Sequence, residues 1–397
     1  MPHILTLNAG SSSIKFAVYA LPGQGGEEPQ LKARGLVEGI GSAPRLKEKA
    51  ADGALIADRL LDPDADHAHA LTAALESLAG AIAGMRIVAV GHRVVHGGSR
   101  FVAPILLDEA VMVALAAYTP FAPSHQPHNL KGVMAAREAF PDALQVACFD
   151  TAFHQGKAFA QDTYGLPREL YAQGVRRYGH HGLSYDYIAG ALHKVAPEVA
   201  DGKVVIAHLG NGASMCAIHR GRSVESTMGF SALDGLPMGS RCGQLDPGIL
   251  LYLMLVKGMN VVDIEAMLYK QSGLKGLSGL TNDMRVLEAA ATAEAEQAID
   301  YFTAMVRREI GAMATTLGGL DAVVFCGGIG ENAAGVRERV IAPLAWLGLE
   351  LDAPANAAGQ TRISAAGSRI PVYVIPTDEE IVIARACLSF VGEPATA

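Results

Sequence analysis

The sequence has 397 residues, of which 50% are hydrophobic and 18% are charged, a composition that suits two or three domains with large cores. Its net charge of -8, with no runs of Lys and Arg, argues against a broad nucleic-acid or acidic-membrane surface. Five widely spaced cysteines without a C-x-x-C motif predict neither a disulfide framework nor a cysteine zinc site, and they favour a reducing cytoplasm. No signal peptide or membrane helix is expected, because no basic segment opens the chain and the most apolar run covers only residues 248–256.

The chain opens with a predicted β-hairpin over residues 3–19. Two apolar segments flank a turn of Asn, Gly and three serines, and Lys15 follows this turn. The tip of such a hairpin offers backbone N–H groups, hydroxyls and a cation, which together suit a phosphate. An ordinary polar hairpin loop is the alternative.

Charged residues follow two further predicted strands. Strand 87–90 leads into a glycine-rich segment that contains Arg93 and two histidines, and strand 144–149 ends at Asp150. Open α/β sheets bind ligands at the carboxyl ends of their strands, so both segments are candidates for a site. For Asp150, a helix N-cap is the alternative. The intervening pattern predicts helices over residues 67–83 and 108–118 and a third that ends at Phe140.

The second half of the chain repeats the opening pattern. Residues 204–218 form a strand, small-residue turn and strand that align with the opening hairpin when Gly212 is set on Gly10. The spacing of about half the chain is far longer than the roughly 20 to 50 residues of a solenoid repeat. It predicts two homologous domains that each begin with a phosphate-facing hairpin.

Three later segments also carry candidate chemistry. The long, weakly charged loop 226–243 contains one cation, Arg241, which needs an anionic partner. Residues 322–332 read as a buried strand, a glycine turn and a helix start, a nucleotide-binding shape that lacks the third glycine of the dinucleotide fingerprint. The acids before the C-terminal helix 381–390 are ligand candidates or helix caps. Between these segments, Thr281 or Asn282 is expected to cap one Ala-rich helix that runs to Leu317.

These blocks together resemble the acetate kinase family, in the superfamily of actin, hexokinase and the heat-shock ATPases. The motifs that carry the resemblance span nearly the whole chain and comprise residues 5–13, 91–98, 176–179, 208–214, 228–230, 328–332 and 376–380. The resemblance implies a duplicated α/β, actin-like ATPase (ribonuclease H-like) fold with the active site in the cleft between two lobes. It implies an N-terminal lobe of residues 1–150, on which the C-terminal helix 381–397 packs, a nucleotide-binding lobe of residues 151–380, and a homodimer.

The resemblance also implies roles for individual residues in Mg²⁺-dependent phosphoryl transfer from ATP to acetate. The metal, Mg²⁺ or alternatively Mn²⁺, would be positioned by Asn8 and Glu379. The acceptor carboxylate would bind Arg93, with its acyl group near Val95, Ser124, His180 and Ala232. Catalysis would involve Asp150, His181, Arg241, Arg93 and His125. The nucleotide, ATP or ADP, would contact Lys15, His208, Leu209, Gly210, Asn211, Gly212, Asp283, Met284, Arg285, Gly328, Ile329, Gly330, Glu331 and Asn332.

The residue types suit this chemistry. Phosphoryl transfer needs alignment and positive charge around the transferred group, which arginine, histidine and a metal ion supply. The acceptor carboxylate is already ionised at neutral pH, so no general base is required. We therefore expect Asp150 to orient the metal, its waters or an arginine rather than to abstract a proton.

The acyl-pocket positions depart from the family pattern. Ser124, His180 and Ala232 stand where Leu, Phe and Pro are usual, which makes the pocket more polar and leaves propionate, butyrate or a hydroxy acid as alternative acceptors. A non-catalytic actin-like nucleotide-binding module is the rival from another class. A dehydrogenase is disfavoured because the sequence lacks the full dinucleotide-binding fingerprint. A histidine metal site is disfavoured because the sequence lacks the His-Glu-x-x-His spacing.

Overall fold

The computed structural model describes residues 2–10, 13–22, 28–40, 43–81, 84–123 and 125–391. Two predicted features, the hairpin-tip residues 11 and 12 and the acyl-pocket candidate Ser124, therefore lie outside the described residues. The strands are β1 Pro2–Ala9, β2 Ser13–Ala20, β3 Gln30–Glu38, β4 Arg45–Ala50, β5 Leu55–Leu60, β6 Arg86–Val94, β7 Ile105–Leu106, β8 Leu144–Phe149, β9 Lys203–Leu209, β10 Ala213–His219, β11 Arg222–Ser226, β12 Ala322–Cys326 and β13 Val372–Val374.

The α-helices connect and cover these strands. They are α1 His67–Ala81, α2 Glu109–Ala116, α3 Gln126–Ala139, α4 Phe159–Asp162, α5 Arg168–Ala172, α6 Gly182–Val195, α7 Pro197–Ala200, α8 Pro247–Leu255, α9 Val261–Lys270, α10 Gly273–Ser278, α11 Met284–Ala290, α12 Ala293–Leu317, α13 Gly327–Asn332, α14 Ala334–Ile341, α15 Ala353–Ala357 and α16 Glu379–Val391. Short 3₁₀ turns cover Thr119–Phe121, Ala152–His154 and Ala342–Leu347. Across the described ranges, no helix is both long and apolar enough to cross a bilayer.

The chain divides into two compact units. The first unit comprises Met1–Ala152 together with Asp378–Ala397, and the second comprises Phe153–Thr377. The sheet of the first unit has the strand order β5-β4-β3-β2-β1-β6-β8-β7, and that of the second has the order β11-β10-β9-β12-β13.

The two sheets share the topology of their central strands. In the first, β1 pairs antiparallel with β2 and parallel with β6, which is followed by parallel β8. In the second, β9 pairs antiparallel with β10 and parallel with β12, which is followed by parallel β13. The repeat seen in the sequence is thus a repeated sheet, and the predicted duplicated α/β fold is confirmed.

In the second unit, the central strand β9 is covered on both faces. Because side chains alternate along a strand, Val205 faces the core formed with Phe302 and Val306 of α12. Its neighbour Ile206 belongs to the opposite core, which contains Ile188 of α6. Burial on both faces explains why the strand reads as an unbroken apolar run.

In the first unit, one glycine allows a helix to lie close to the sheet. A Cβ added at Gly91 of β6 would lie 2.3 Å from Cγ2 of Ile383 and 2.7 Å from Sγ of Cys387, both on α16. Only a residue without a side chain permits this separation. The close packing brings Glu379, the first residue of α16, to the carboxyl-end region of β1 and β6, where it contacts Asn8 and Arg93.

The predicted continuous helix before Leu317 is wrong. Asp283, rather than Thr281 or Asn282, caps α11 by accepting a hydrogen bond from the Arg285 amide at 2.9 Å. The helix ends at Ala291, which has a left-handed φ of 48°, and Thr292 then caps α12 through the Ala295 amide at 3.2 Å. The Thr292 hydroxyl accepts a hydrogen bond from a backbone amide at the start of α12, so a new helix begins at this point. The Ala-rich composition alone indicates no break here.

Candidate active site

In the first unit, an arginine whose side chain is 15% exposed forms the centre of a polar cluster. The Arg93 guanidinium donates from Nε to Oδ1 of Asp150 at 2.8 Å and from Nη2 to Oδ2 at 2.6 Å, so it binds this carboxylate in a bidentate manner. Its Nη1 donates to Oδ1 of Asn8 at 3.0 Å, and Nδ2 of Asn8 donates to Oε2 of Glu379 at 2.9 Å. Four predicted site residues from distant parts of the sequence therefore meet.

The sheet topology explains this meeting. Asn8 lies near the end of β1, Arg93 lies near the end of the neighbouring parallel strand β6, and Asp150 directly follows β8. Parallel neighbours end on the same edge of the sheet, which is where open α/β sheets place ligand-binding groups. The Asp150 amide continues the strand ladder by donating to the Val94 carbonyl at 3.2 Å.

The charges of this cluster are strongly coupled. Burial by itself lowers the pKa of Arg93, but the carboxylates of Asp150, Glu379 and Glu380 outweigh it and raise that pKa. The guanidinium therefore stays charged at every accessible pH. Burial raises the pKa of the Glu380 carboxyl, and the positive charge of Lys15 partly offsets this increase.

Asn129, which the sequence analysis did not select, links the ends of the two central strands. Its Oδ1 accepts from the Val95 amide at 3.0 Å, and its Nδ2 donates to the Ala9 carbonyl at 2.7 Å. The preceding turn of α3 contributes Gln126, which bonds both the amide and the carbonyl of His96. The dense polar segment 125–129 was the available sequence signal for both residues.

The remaining first-unit candidates lie on the same elements. Lys15 of β2 is exposed and is the cross-strand partner of Asn8 in the hairpin. Val95 is buried directly after β6. His125 is the half-buried N-cap residue of α3, where its side chain makes no capping hydrogen bond.

In the second unit, an open cavity of about 560 Å³ brings together most of the predicted nucleotide residues. This volume is in the usual range of small-molecule sites. Its lining combines the turn of the second hairpin, the start of α11 and the glycine-rich helix α13, through Gly210, Asn211, Asn282, Asp283, Met284, Arg285, Glu288, Gly328, Ile329, Asn332 and Ala333.

Several side chains fix the walls of this cavity. Asp283 and Arg285 form a hydrogen-bonded ion pair with a shortest contact of 2.6 Å. Oδ1 of Asn211 accepts from Nδ2 of Asn282 at 3.0 Å. The Glu331 carboxylate accepts from the amides of Gly327 at 2.9 Å and Thr377 at 3.2 Å, so it holds the glycine loop.

Other nucleotide candidates lie behind or beside the cavity. Leu209 and Gly330 are buried in the β9 and α13 backbones, and His208 stacks on His181 with ring centroids 4.4 Å apart. The imidazole of His181 is held from the other side, because its Nδ1 lies 2.8 Å from Oγ of Ser214. Ser214, which the sequence analysis did not assign a role, also bonds the hydroxyl of Tyr185.

The predicted catalytic groups of the second unit converge on one glycine. A Cβ placed on Gly212 would lie 2.8 Å from Nη2 of Arg241 and 3.3 Å from Nε2 of His181. Arg241 is held by its Nη1, which donates to the Ala232 carbonyl at 2.9 Å. The lack of a side chain at Gly212 therefore leaves room for two potential cations beside the turn of the second hairpin.

His180, the polar replacement in the predicted acyl pocket, is 2% exposed. Its carbonyl accepts from Nε2 of His154 at 2.9 Å. Ala232 is half-buried in the 226–243 loop and packs against the core.

A Gly212→Ala variant tests whether this convergence matters. The added methyl would displace the Arg241 guanidinium and crowd His181, so we expect the kcat of the predicted phosphoryl transfer to fall about 100-fold, as for a catalytic group misplaced by about 1 Å. The melting temperature is expected to change little. Gly190→Ala is the control, since Gly190 lies on an exposed position of α6 with open space around it. A Gly212→Ala variant with unchanged kcat would contradict the prediction that Arg241 and His181 are catalytic.

Comparison with known proteins identifies the family. The acetokinase family profile matches residues 3–385. The acetate kinase of Methylocella silvestris is 53% identical over 400 residues, covering 99% of both chains. The solved propionate kinase from Francisella tularensis has a TM-score of 0.87 at 36% identity, covering 97% of this chain and 99% of its own. For the Porphyromonas gingivalis acetate kinase the TM-score is 0.84 at 33% identity, with 98% and 100% covered. The resemblance predicted from the sequence is confirmed, and this chain belongs to the acetokinase family.

Proposed function

We propose that this chain transfers the γ-phosphoryl group of ATP to the carboxylate of acetate, giving acetyl phosphate and ADP in a reversible, direct in-line reaction. The family membership supports this activity. The structural observation that carries it is the environment of Arg93. A guanidinium has five N–H donors, of which Asp150 and Asn8 use three, so within the described part of the chain one N–H remains on each terminal nitrogen. These two donors suit a planar carboxylate acceptor.

In this proposal, Asp150 orients Arg93. Its two oxygens are both engaged by the guanidinium, and its side chain is 1% exposed. A carboxylate held in this way is poorly placed to abstract a proton, and the ionised acceptor has no proton to lose. The rate therefore depends on alignment and on charge stabilisation.

The proposed groups for the transferred phosphoryl are Arg241 and His181 in the nucleotide-binding lobe of residues 151–380. Both approach Gly212, beside the cavity that we assign to the nucleotide. Side chains fixed in advance by the Ala232 carbonyl and by Ser214 would stabilise the equatorial oxygens of the transition state without reorganisation.

Asn8 and Glu379 fit a hard divalent cation. They supply amide and carboxylate oxygens, and with Arg93 and Asp150 the cluster carries two carboxylates against one guanidinium. Mg²⁺ typically binds one or two carboxylates, keeps several waters and takes its remaining ligands from substrate phosphates. When bound, the ion would neutralise charge on the phosphates, and Mn²⁺ could replace it.

The proposed acceptor is acetate, with longer or hydroxylated short acids as alternatives. The buried His180 stands where the family usually has Phe, which makes the surroundings of the acyl group more polar. One methylene in such a pocket changes binding by about 1 to 3 kcal/mol, so a small change in lining can alter the preferred acid.

The proposed assembly is a homodimer. Helix α8 is apolar around its whole circumference, yet none of its residues is buried within this chain. Leu255 is 82% exposed, and the following Val256 is 67% exposed. A helix that is hydrophobic on all sides is normally covered, and the uncharged surface of residues 247–256 suits an identical uncharged surface on a second copy.

The activity is tested by trapping acyl phosphate as its hydroxamate. With ATP and Mg²⁺, we expect hydroxamate from acetate. The kcat/KM for propionate, butyrate and glycolate is expected to be at least about 10-fold lower than that for acetate, because each of these acids alters the fit of the acyl group. Reactions without acid and without ATP are the controls. A higher kcat/KM for another acid would show that this acid, rather than acetate, is the preferred acceptor. The absence of hydroxamate with every short acid would refute the kinase activity.

The metal assignment is tested by Asn8→Ala. Loss of the amide oxygen is expected to raise the Mg²⁺ concentration that gives half-maximal rate by about 10-fold, the lower end of the effect of losing a metal-site partner. Lys47→Ala, an exposed change on β4, is the matched control. Mg²⁺ titration of the initial rate makes the measurement, and an unaltered Mg²⁺ dependence would count against the assignment.

The dimer is tested by sedimentation equilibrium. Wild-type protein is expected at twice the chain mass of 41.4 kDa, and Leu255→Glu at the chain mass, because a buried unpaired charge opposes association. Val113→Glu on α2 is the control, since Val113 is 74% exposed outside the α8 surface. A wild-type protein that sediments as a monomer would exclude the homodimer.

A further inference from the structure

The turn that presents His181 has an unusual backbone. Gly179 has φ of 81° and His181 has φ of 57°, both in the left-handed region, and His181 is not a glycine. Non-glycine residues adopt this conformation mainly where the surrounding structure enforces it, and such positions cluster at functional sites. The contacts that hold this turn therefore decide where the His181 ring points.

The Gly179 amide donates to the Gly229 carbonyl at 3.2 Å, and the side chain that contacts the turn is that of His154. Its Nε2 lies 2.9 Å from the His180 carbonyl, the peptide group that directly precedes His181. Its ring also occupies the space that a side chain at Gly179 would need, since a Cβ there would lie 2.6 Å from Cγ and Cδ2 of His154. The neighbouring Lys157 donates through Nζ to the Arg177 carbonyl, so the same segment holds the start of the turn.

The hydrogen bonds of His154 define its tautomer. A carbonyl can only accept, so Nε2 must carry the proton and donate to His180. Nδ1 is then an acceptor for the Ser223 hydroxyl at 2.8 Å, and the Cys216 thiol donates to Ser223 at 3.4 Å. Burial, and to a smaller extent Lys157, lowers the pKa of His154 to about 3, so this neutral tautomer persists throughout the working pH range.

The other face of the turn is fixed by the groups that hold the His181 ring. Nδ1 of His181 lies 2.8 Å from Ser214, and the ring stacks on His208. The backbone bond from His154 and the ring bond from Ser214 together leave Nε2 of His181 directed towards Gly212, 3.3 Å from the position of a Cβ there.

We infer that His154 is a positioning residue, which holds the left-handed 179–181 turn by donating to the His180 carbonyl and so directs His181 at the transferred phosphoryl group. This inference rests on the proposed function, in which His181 stabilises that group. His154 itself does not contact the reacting atoms.

Replacing His154 with Gln or with Asn separates the effect of its hydrogen bond to the His180 carbonyl from the effect of its packing. The amide nitrogen of His154→Gln reaches the place of Nε2 and can still donate to the His180 carbonyl, whereas the shorter side chain of His154→Asn reaches only the place of Nδ1. We expect kcat to fall about 100-fold in His154→Asn and less than about 10-fold in His154→Gln, with the KM for ATP within about 2-fold of wild type in both. Equal losses in the two variants would overturn the inference.

A double-mutant cycle with His181→Ala tests whether His154 acts through His181. If it does, adding His154→Asn to His181→Ala costs nothing further, because the misdirected group is already absent. Independent, multiplicative losses would overturn the inference. Should His154→Asn fail to fold, Ser223→Ala removes the hydroxyl that holds the other ring nitrogen of His154 and so loosens the ring beneath the turn, which is expected to lower kcat at constant KM. A change in KM alone, or no change, would contradict the inference.

The outcome is distinguishable from failure of the proposed function. Wild-type protein that forms no acyl hydroxamate would refute the kinase activity itself. Active wild-type protein with equal Asn and Gln variants would leave the activity intact and refute only the role of His154.

Discussion

The polar cluster of the first unit depends on the bidentate pair of the half-buried Arg93 and the fully buried Asp150. Removing one partner of such a pair typically costs about 3 to 5 kcal/mol, because the other charge is left unpaired in a low-dielectric interior. Because Arg93 lies near the end of β6 and Asp150 directly follows β8, the pair forms only when these two strands keep their register. Asn8 joins the same network through the parallel pairing of β1 with β6, and Glu379 joins it through the packing of α16 on Gly91.

The second unit uses the same topology for a different set of contacts. Its hairpin β9-β10 repeats β1-β2, and β12 repeats β6, yet the groups at the strand ends are His208 and a glycine-rich helix rather than an arginine and a carboxylate. Duplication thus supplies one scaffold twice, and the substitutions at the strand ends decide the chemistry. In the proposed function, this division would meet the two demands of phosphoryl transfer, which are an oriented acceptor and a held nucleotide.

Several parts of the structure could be predicted from the sequence because they have local causes. The buried strand β8 and the strand and glycine turn at β12-α13 were predicted from apolar runs next to glycine or acidic residues. The break at Ala291 could not be predicted in this way, because Ala-rich sequence favours an uninterrupted helix and the capping hydroxyl of Thr292 carries only a weak signal. Asn129 and His154 were missed for a related reason, since their partners Ala9 and Ser223 lie 120 and 69 residues away.

The sequence by itself determined the family and the repeated hairpin and indicated the residues of the candidate site, because motifs and periodicity are local properties of a chain. It also indicated that Asp150 would orient another group, since an ionised acceptor needs no base. Only the tertiary structure decided that Arg93 is the group that Asp150 holds and that Gly212 makes room for His181 and Arg241. It likewise decided that a buried neutral histidine supports a left-handed turn. The physical reason is that hydrogen-bond partners and close approaches depend on which distant segments pack together, and residue spacing along the chain carries no record of that packing.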